Sequence, residues 1–131
     1  IIHCSRNPKD NILSLYKNDF DDRLNFTYDL NDLTKFYKEY RDLMDFWTKK
    51  FQNEIYDANY EKILINPEEE IKKLLNFCDL NYEKNCLNFY KTKRPIKTVS
   101  SAQARQPIYK SSMSSYQRYE KYMSEFFDNI R

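Results

Sequence analysis

None of the 131 residues is glycine. Phosphate loops rely on glycine for positive φ and for close approach of the backbone to the anion. A complete nucleotide-using α/β enzyme is therefore expected to carry a glycine-bearing loop, and this chain has none. The length gives one domain's worth of chain but is small for such an enzyme. The sequence also opens without methionine, in what reads as a buried strand. The expectation is the C-terminal part of a longer protein.

The first twenty residues carry the clearest local pattern. Ile1 to Ser5 form a short apolar run, bounded by Arg6 and the turn-prone pair Asn7-Pro8. From Asn11 the spacing becomes helical, with Ile12, Leu15, Tyr16 and Phe20 on one stripe. Asn7 suits the N-cap, Pro8 the first helical position, and Asp10 the N3 position of a capping box. The reading is strand, tight turn, helix. Arg6 leaves the strand's end and Ser14 lies about two turns along the helix, roughly 11 Å. A guanidinium fork and a hydroxyl around one point make a cradle for a phosphate. The plain alternative is an ordinary capped helix with a surface serine.

Charge is nearly balanced overall, at +2, but unevenly spread. Between Lys84 and Tyr119 there are eight Lys or Arg and no Asp or Glu, leaving fourteen basic against twenty acidic residues elsewhere. A one-sided block of this kind points to an anionic partner, with a solvated basic loop as the alternative. Nucleic acid is the weaker candidate, because interleaved exposed aromatics and a motif context are missing. Cys4, Cys78 and Cys86 have no CxxC spacing, and their odd number leaves at least one free, so a reduced compartment is expected. His3 and Cys4 are strand neighbours pointing to opposite faces and cannot share a metal. One histidine in the whole chain offers neither a metal cluster nor a histidine triad. No apolar run approaches transmembrane length and no signal peptide is visible, so the expected location is cytoplasmic.

Further along, residues 19–29 read as an acidic connector. A long amphipathic helix is predicted over 30–50, with Leu33, Phe36, Tyr37, Tyr40, Leu43, Met44 and Trp47 as its core stripe. Over 54–78 a strand near Ile55–Tyr60 leads through a turn to Asn66-Pro67. A helix follows there, with Glu68, Glu69 and Glu70 in its first turn and Ile71, Leu74, Leu75 and Cys78 inward. Glu83 to Tyr90 reads as a short helix. Residues 91–110 form a long irregular segment, more often functional than structural. A C-terminal helix is predicted over 112–129, with Met113, Tyr116, Tyr119, Met123 and Phe127 on one side.

Arg6-Asn-Pro-Lys-Asp followed by Ser14 resembles the 3′-phosphate-binding segment of sulfotransferases that use 3′-phosphoadenosine 5′-phosphosulfate. Tyr60-Glu-Lys-Ile-Leu-Ile-Asn-Pro67 resembles the family's Tyr-Glu-x-Leu-x-x-x-Pro segment, whose tyrosine closes a strand beside the nucleotide. Thr98 to Tyr109, then Ser111-Ser112 and Tyr116-Gln-Arg-Tyr119, are similar to the C-terminal loop of bacterial sulfotransferases that carry tetratricopeptide repeats. More distantly the same stretch resembles the tyrosylprotein sulfotransferases, as does Phe26-Thr-Tyr-Asp29-Leu30 with the helix after it. Where the pattern calls for a basic residue before Tyr116, this chain has Ser115.

The resemblance implies the P-loop-like, three-layer α/β/α sulfotransferase fold with a parallel sheet, here a mostly helical C-terminal portion without the N-terminal phosphate loop. It implies one domain with a 3′-phosphate site in 1–20, a nucleotide-flanking strand and helix in 54–78 and a nucleotide-covering loop in 91–110. The implied chemistry is sulfuryl transfer from 3′-phosphoadenosine 5′-phosphosulfate to a hydroxyl of a protein tyrosine, a sugar or a small molecule, without a metal. Arg6 and Ser14 would hold the 3′-phosphate, Tyr60 would flank the nucleotide, and Ser100, Ser101, Arg105 and Gln106 would close over it. No catalytic residue is expected in this chain, since the phosphosulfate loop and the general base have no counterpart, so the chain alone is expected to be inactive. The rival reading is a non-catalytic helical interaction module.

Overall fold

The computed structural model describes residues 1–20, 24–92, 95 and 102–130. The chain divides into two compact units, one of Ile1–Ser5 with Tyr56–Ser111 and one of Arg6–Ile55 with Ser112–Arg131.

The second unit is helical. It contains α1 (Pro8–Lys17), α2 (Leu30–Lys50) and α5 (Glu120–Asp128), with 3₁₀ turns at Asn25–Tyr28 and Ser115–Arg118. Asn7 caps α1 by accepting the Asp10 N–H at 3.2 Å, and Pro8 opens the helix. Asp29 caps α2 by accepting from Asn31 and Asp32. Ile12, Leu13, Leu33, Tyr37, Met123, Phe127 and Ile130 close over one another as the core. Two buried hydroxyls are satisfied locally, Thr27 donating to the Leu24 carbonyl and Thr34 to that of Leu30, as burial of a polar group requires. Burial also pushes the Tyr37 phenol up, against the opposing pull of Arg41.

Helix α2 matches the predicted 30–50, but its stripe is only half core. Leu33 and Tyr37 are buried, while Phe36 is 47% and Leu43 53% exposed. The core of this unit takes α2 side chains only as far as Tyr40. Beyond it the rings pack on one another: Trp47 stacks on Phe51, Phe46 meets Trp47 edge-on, and the Lys50 ammonium lies over all three. The predicted helix over 112–129 begins later, at Glu120. Ser114 has φ 55, in the left-handed region, which breaks the helical run before the 3₁₀ turn.

The other unit carries the sheet. Strands β1 (Ile2–Ser5) and β2 (Tyr56–Asn59) pair in parallel, with His3 opposite Asp57 and Cys4 opposite Ala58. Parallel strands need a long crossover, and residues 6–55 supply it. His3 Nδ1 and Asp57 Oδ1 lie 3.0 Å apart across the pair. The opening strand is not buried as predicted. Ile1 is 73% and Ile2 47% exposed, and His3 and Ser5 are half-buried. Only β2 flanks β1 among the described residues, and all three cysteines are free.

Two short helices follow β2. Where a turn was predicted after Tyr60, the chain forms α3 (Tyr60–Ile65), because Asn59 accepts the Lys62 N–H and caps it. Tyr60 therefore opens a helix rather than closing a strand. Helix α4 (Pro67–Phe77) starts at the predicted proline, although Asn66 makes no side-chain cap bond. Lys72 pairs with Glu68, and Lys73 with both Glu69 and Glu70, at 2.7 Å each. The Tyr56 and Phe77 rings meet at 5.3 Å between centroids. The segment predicted as a short helix over 83–90 is a 3₁₀ stretch, Lys84–Lys91, kinked at Asn88. Positive φ occurs at Asn53 and Asp79, residue types that visit it readily, and at Ser114, which does so at a cost. No helix among the described residues is long and apolar enough to cross a membrane.

Two measurements check this description. Phe127→Ala empties a fully buried site and should cost about 3–5 kcal/mol in denaturant unfolding. Leu43→Ala should stay within about 0.5 kcal/mol, since the side chain is half exposed; comparable losses would place Leu43 in the core after all. The hydrogen bonds from Lys72 and Lys73 hold Glu68 and Glu69 below the usual carboxylate range. A carboxyl lowered by folding stabilises above its unfolded pKa and loses that contribution as pH falls through the folded value. NMR titration should therefore find both midpoints below those of the unfolded chain, with Lys72→Met raising that of Glu68 and leaving Glu69 alone.

Candidate functional site

Arg6 is the residue at which the chain passes from β1 toward α1, one position before the cap. Its Nη2 donates to the Ser112 carbonyl at 3.0 Å in a half-buried setting. Ser14 sits inside α1, about 9 Å of helix rise beyond Pro8. It is half-buried, and its carbonyl accepts from Asn18 Nδ2 at 2.6 Å.

Asp10 plays a part different from the predicted one. It stands at N3, but its carboxylate does not complete a capping box. It is 1% exposed and turns instead to the C-terminal segment, accepting from Ser114 N at 2.7 Å, Ser115 Oγ at 2.9 Å and Tyr116 N at 2.9 Å. Three donors, two of them backbone, satisfy a charge that could not otherwise stay buried. Lys9 adds a fourth tie. Its Nζ bonds Glu120 Oε1 at 2.8 Å and lies 5.0 Å from the centre of the Tyr116 ring. The first turn of α1 thus grips residues more than a hundred positions away. The carboxylate of Asp10 was visible in the sequence only as a capping candidate, and nothing local announces its three distant donors.

The remaining predicted site residues lie in the other unit. Tyr60 is half-buried as the first residue of α3. Arg105 and Gln106 are exposed, Arg105 at the end of the 3₁₀ turn Gln103–Arg105, where its Nη1 donates to the Thr92 carbonyl. Ser100 and Ser101 lie outside the described residues. The structure therefore joins Arg6 directly to the Ser112–Tyr116 segment, and shows Ser14 on the same helix that Asp10 anchors. Among the described residues no group of three or more His, Cys, Asp or Glu could hold a metal.

Chemically, the Arg6 region combines a guanidinium held by a carbonyl, a helix N-terminus whose dipole favours negative charge, and a hydroxyl further along the same helix. Among known proteins, a family profile described as "Sulfotransferase family" matches residues 1–84. An "Uncharacterized protein" of Aquifex aeolicus (strain VF5) is 39% identical over 134 residues, a match that takes in 100% of this chain and 18% of that protein. The chain thus spans about a fifth of the length of this relative. No solved structure matches.

Proposed function

Because the chain belongs to the sulfotransferase family, we propose that it supplies the 3′-phosphate and adenosine side of a donor site for 3′-phosphoadenosine 5′-phosphosulfate. The parallel β1–β2 pair and the helical content are compatible with the family's α/β fold. The proposal extends this to the three-layer architecture of the whole domain and to transfer onto a tyrosine, sugar or small-molecule hydroxyl. The observation that carries it is Arg6, which sits where β1 gives way to a capped α1, inside the region the family profile matches, with its guanidinium held by Ser112.

In this reading Arg6 and Ser14 read the 3′-phosphate, the group that separates this donor from ordinary adenine nucleotides. A guanidinium suits that task because its fixed fork meets two phosphate oxygens at once. Tyr60 is assigned to the nucleotide's flank, and Ser100, Ser101, Arg105 and Gln106 to its cover. In the reaction the sulfur–oxygen bond to the 5′-phosphate breaks as one to the acceptor oxygen forms, and the acceptor's proton passes to a base. That chemistry depends on neutralising the leaving phosphate and on positioning. No residue of this chain is assigned to the reacting sulfuryl group or to the proton. Its binding energy lies at the far end of the donor and aids the reaction only if the reacting groups are held as well.

Two experiments test this. In the full-length protein, Arg6→Lys keeps the charge and loses the fork. It should weaken binding of adenosine 3′,5′-bisphosphate by about 2 kcal/mol, roughly thirty-fold. Binding of adenosine 5′-monophosphate should change much less, and equal losses would show that Arg6 does not read the 3′-phosphate. With labelled donor and a mixture of tyrosine peptides and sugars, the longer protein should turn over and the 131-residue chain should not. Turnover by the short chain would place the reacting groups within it. Failure of both, with no affinity for the bisphosphate, would favour an interaction module.

A further inference from the structure

We infer that Asp10 is a positioning residue for phosphate recognition, acting on Arg6 through the Ser112–Tyr116 segment; the inference rests on the 3′-phosphate reading above. An arginine side chain is long, and holding it in one pose costs rotamer entropy at the moment a ligand binds. Arg6 is already held, with a hydrogen bond to the Ser112 carbonyl at 3.0 Å among its contacts. Because the guanidinium is planar with its donors in a fixed fork, one such bond restricts the plane of the whole group.

The direction of the Ser112 carbonyl depends in turn on the backbone that follows it. Ser114 stands at φ 55 and ψ 25, a conformation that a residue with a Cβ adopts at a cost. Its N–H is gripped by Asp10 Oδ2 at 2.7 Å, while Asp10 Oδ1 takes the Ser115 hydroxyl and the Tyr116 N–H. Both oxygens of one buried carboxylate are thus committed to this kink. Asp10 and Arg6 are four residues apart on the same strand-to-helix transition, and they hold the same five-residue stretch, Arg6 at its first residue and Asp10 at its last three. The acid fixes the stretch, and the stretch fixes the base. Such an arrangement prepares a cationic group before its ligand arrives, which raises affinity by lowering the ordering cost. The carboxylate keeps its negative charge, but its three donors turn it toward the C-terminal segment and make it a structural anchor.

The test uses the full-length protein and calorimetric titration with adenosine 3′,5′-bisphosphate and adenosine 5′-monophosphate. Asp10→Asn removes the charge and turns one acceptor into a donor facing an N–H or a hydroxyl. It should weaken the bisphosphate about tenfold and leave the monophosphate within about twofold. Ser115→Ala, which keeps the carboxylate and both backbone donors, should weaken the bisphosphate by about two- to threefold. The decisive arm is a double-mutant cycle. In an Arg6→Ala background, Asp10→Asn should cost the bisphosphate almost nothing more. A folded Asp10→Asn protein with wild-type selectivity overturns the inference and leaves the phosphate reading standing. So does a loss that persists undiminished without Arg6. Should Asp10→Asn fail to fold, unchanged selectivity in Ser115→Ala overturns it instead. If the unaltered protein does not prefer the bisphosphate at all, the phosphate reading fails and this inference with it.

Discussion

A carboxylate with almost no exposure has to find donors inside the protein, and Asp10 finds three on a segment over a hundred residues downstream. Much of the helical unit depends on that requirement. Leaving such a group unsatisfied would cost more than a typical hydrogen bond is worth, so α1 and the C-terminal segment are bound to one geometry. The Lys9–Glu120 pair and the Lys9 contact with Tyr116 reinforce it from the neighbouring position. They are more exposed and contribute less. The apolar core of Ile12, Leu33, Met123 and Phe127 supplies the bulk of the cohesion. The polar clamp supplies its register.

How much of this could be read from the sequence depends on how local the cause was. Helix α1 was legible because Asn7 and Pro8 act within one turn, and α2 because its period and the Asp29 cap are both local. Pro67 marked the start of α4 for the same reason. Tyr60 opens a helix instead of closing a strand because Asn59, one residue earlier, caps a helix that no apolar periodicity announces. The half-exposed stripe of α2 was unreadable for a different reason. Spacing tells which face is apolar, while only the partners decide how far along that face is covered. The onset of the C-terminal helix was missed because a left-handed Ser114 is fixed by an acid far away in the sequence.

The same distinction applies to the site. The Arg6–Ser14 spacing was legible, as was the strand-to-helix transition that carries it, since both are set by a dozen consecutive residues. The tie from Arg6 to Ser112 was not, because a backbone carbonyl leaves no mark in the residue types. Tyr60, Arg105 and Gln106 are pointed to by resemblance rather than by local chemistry, and Arg105 donates to the Thr92 carbonyl. A site assembled from side chains shows itself in spacing, whereas one completed by main-chain atoms does not.

The helical unit is built from two stretches of chain, 6–55 and 112–131, with residues 56–111 between them. This has a consequence for how the protein is made. When α1 and α2 leave the ribosome, the helix that completes their core and the donors for Asp10 have not yet been synthesised. Until then an aspartate destined for the interior stays hydrated, and the apolar faces of two helices stand open. Closing a loop of about a hundred residues is entropically unfavourable by on the order of 4 kcal/mol in an ideal chain, so the contacts on which Arg6 depends are among the last to form. Nascent chains stalled before Ser112 should be the most vulnerable to aggregation and to proteases. Arg6 would then be set in place only by the final twenty residues of this chain.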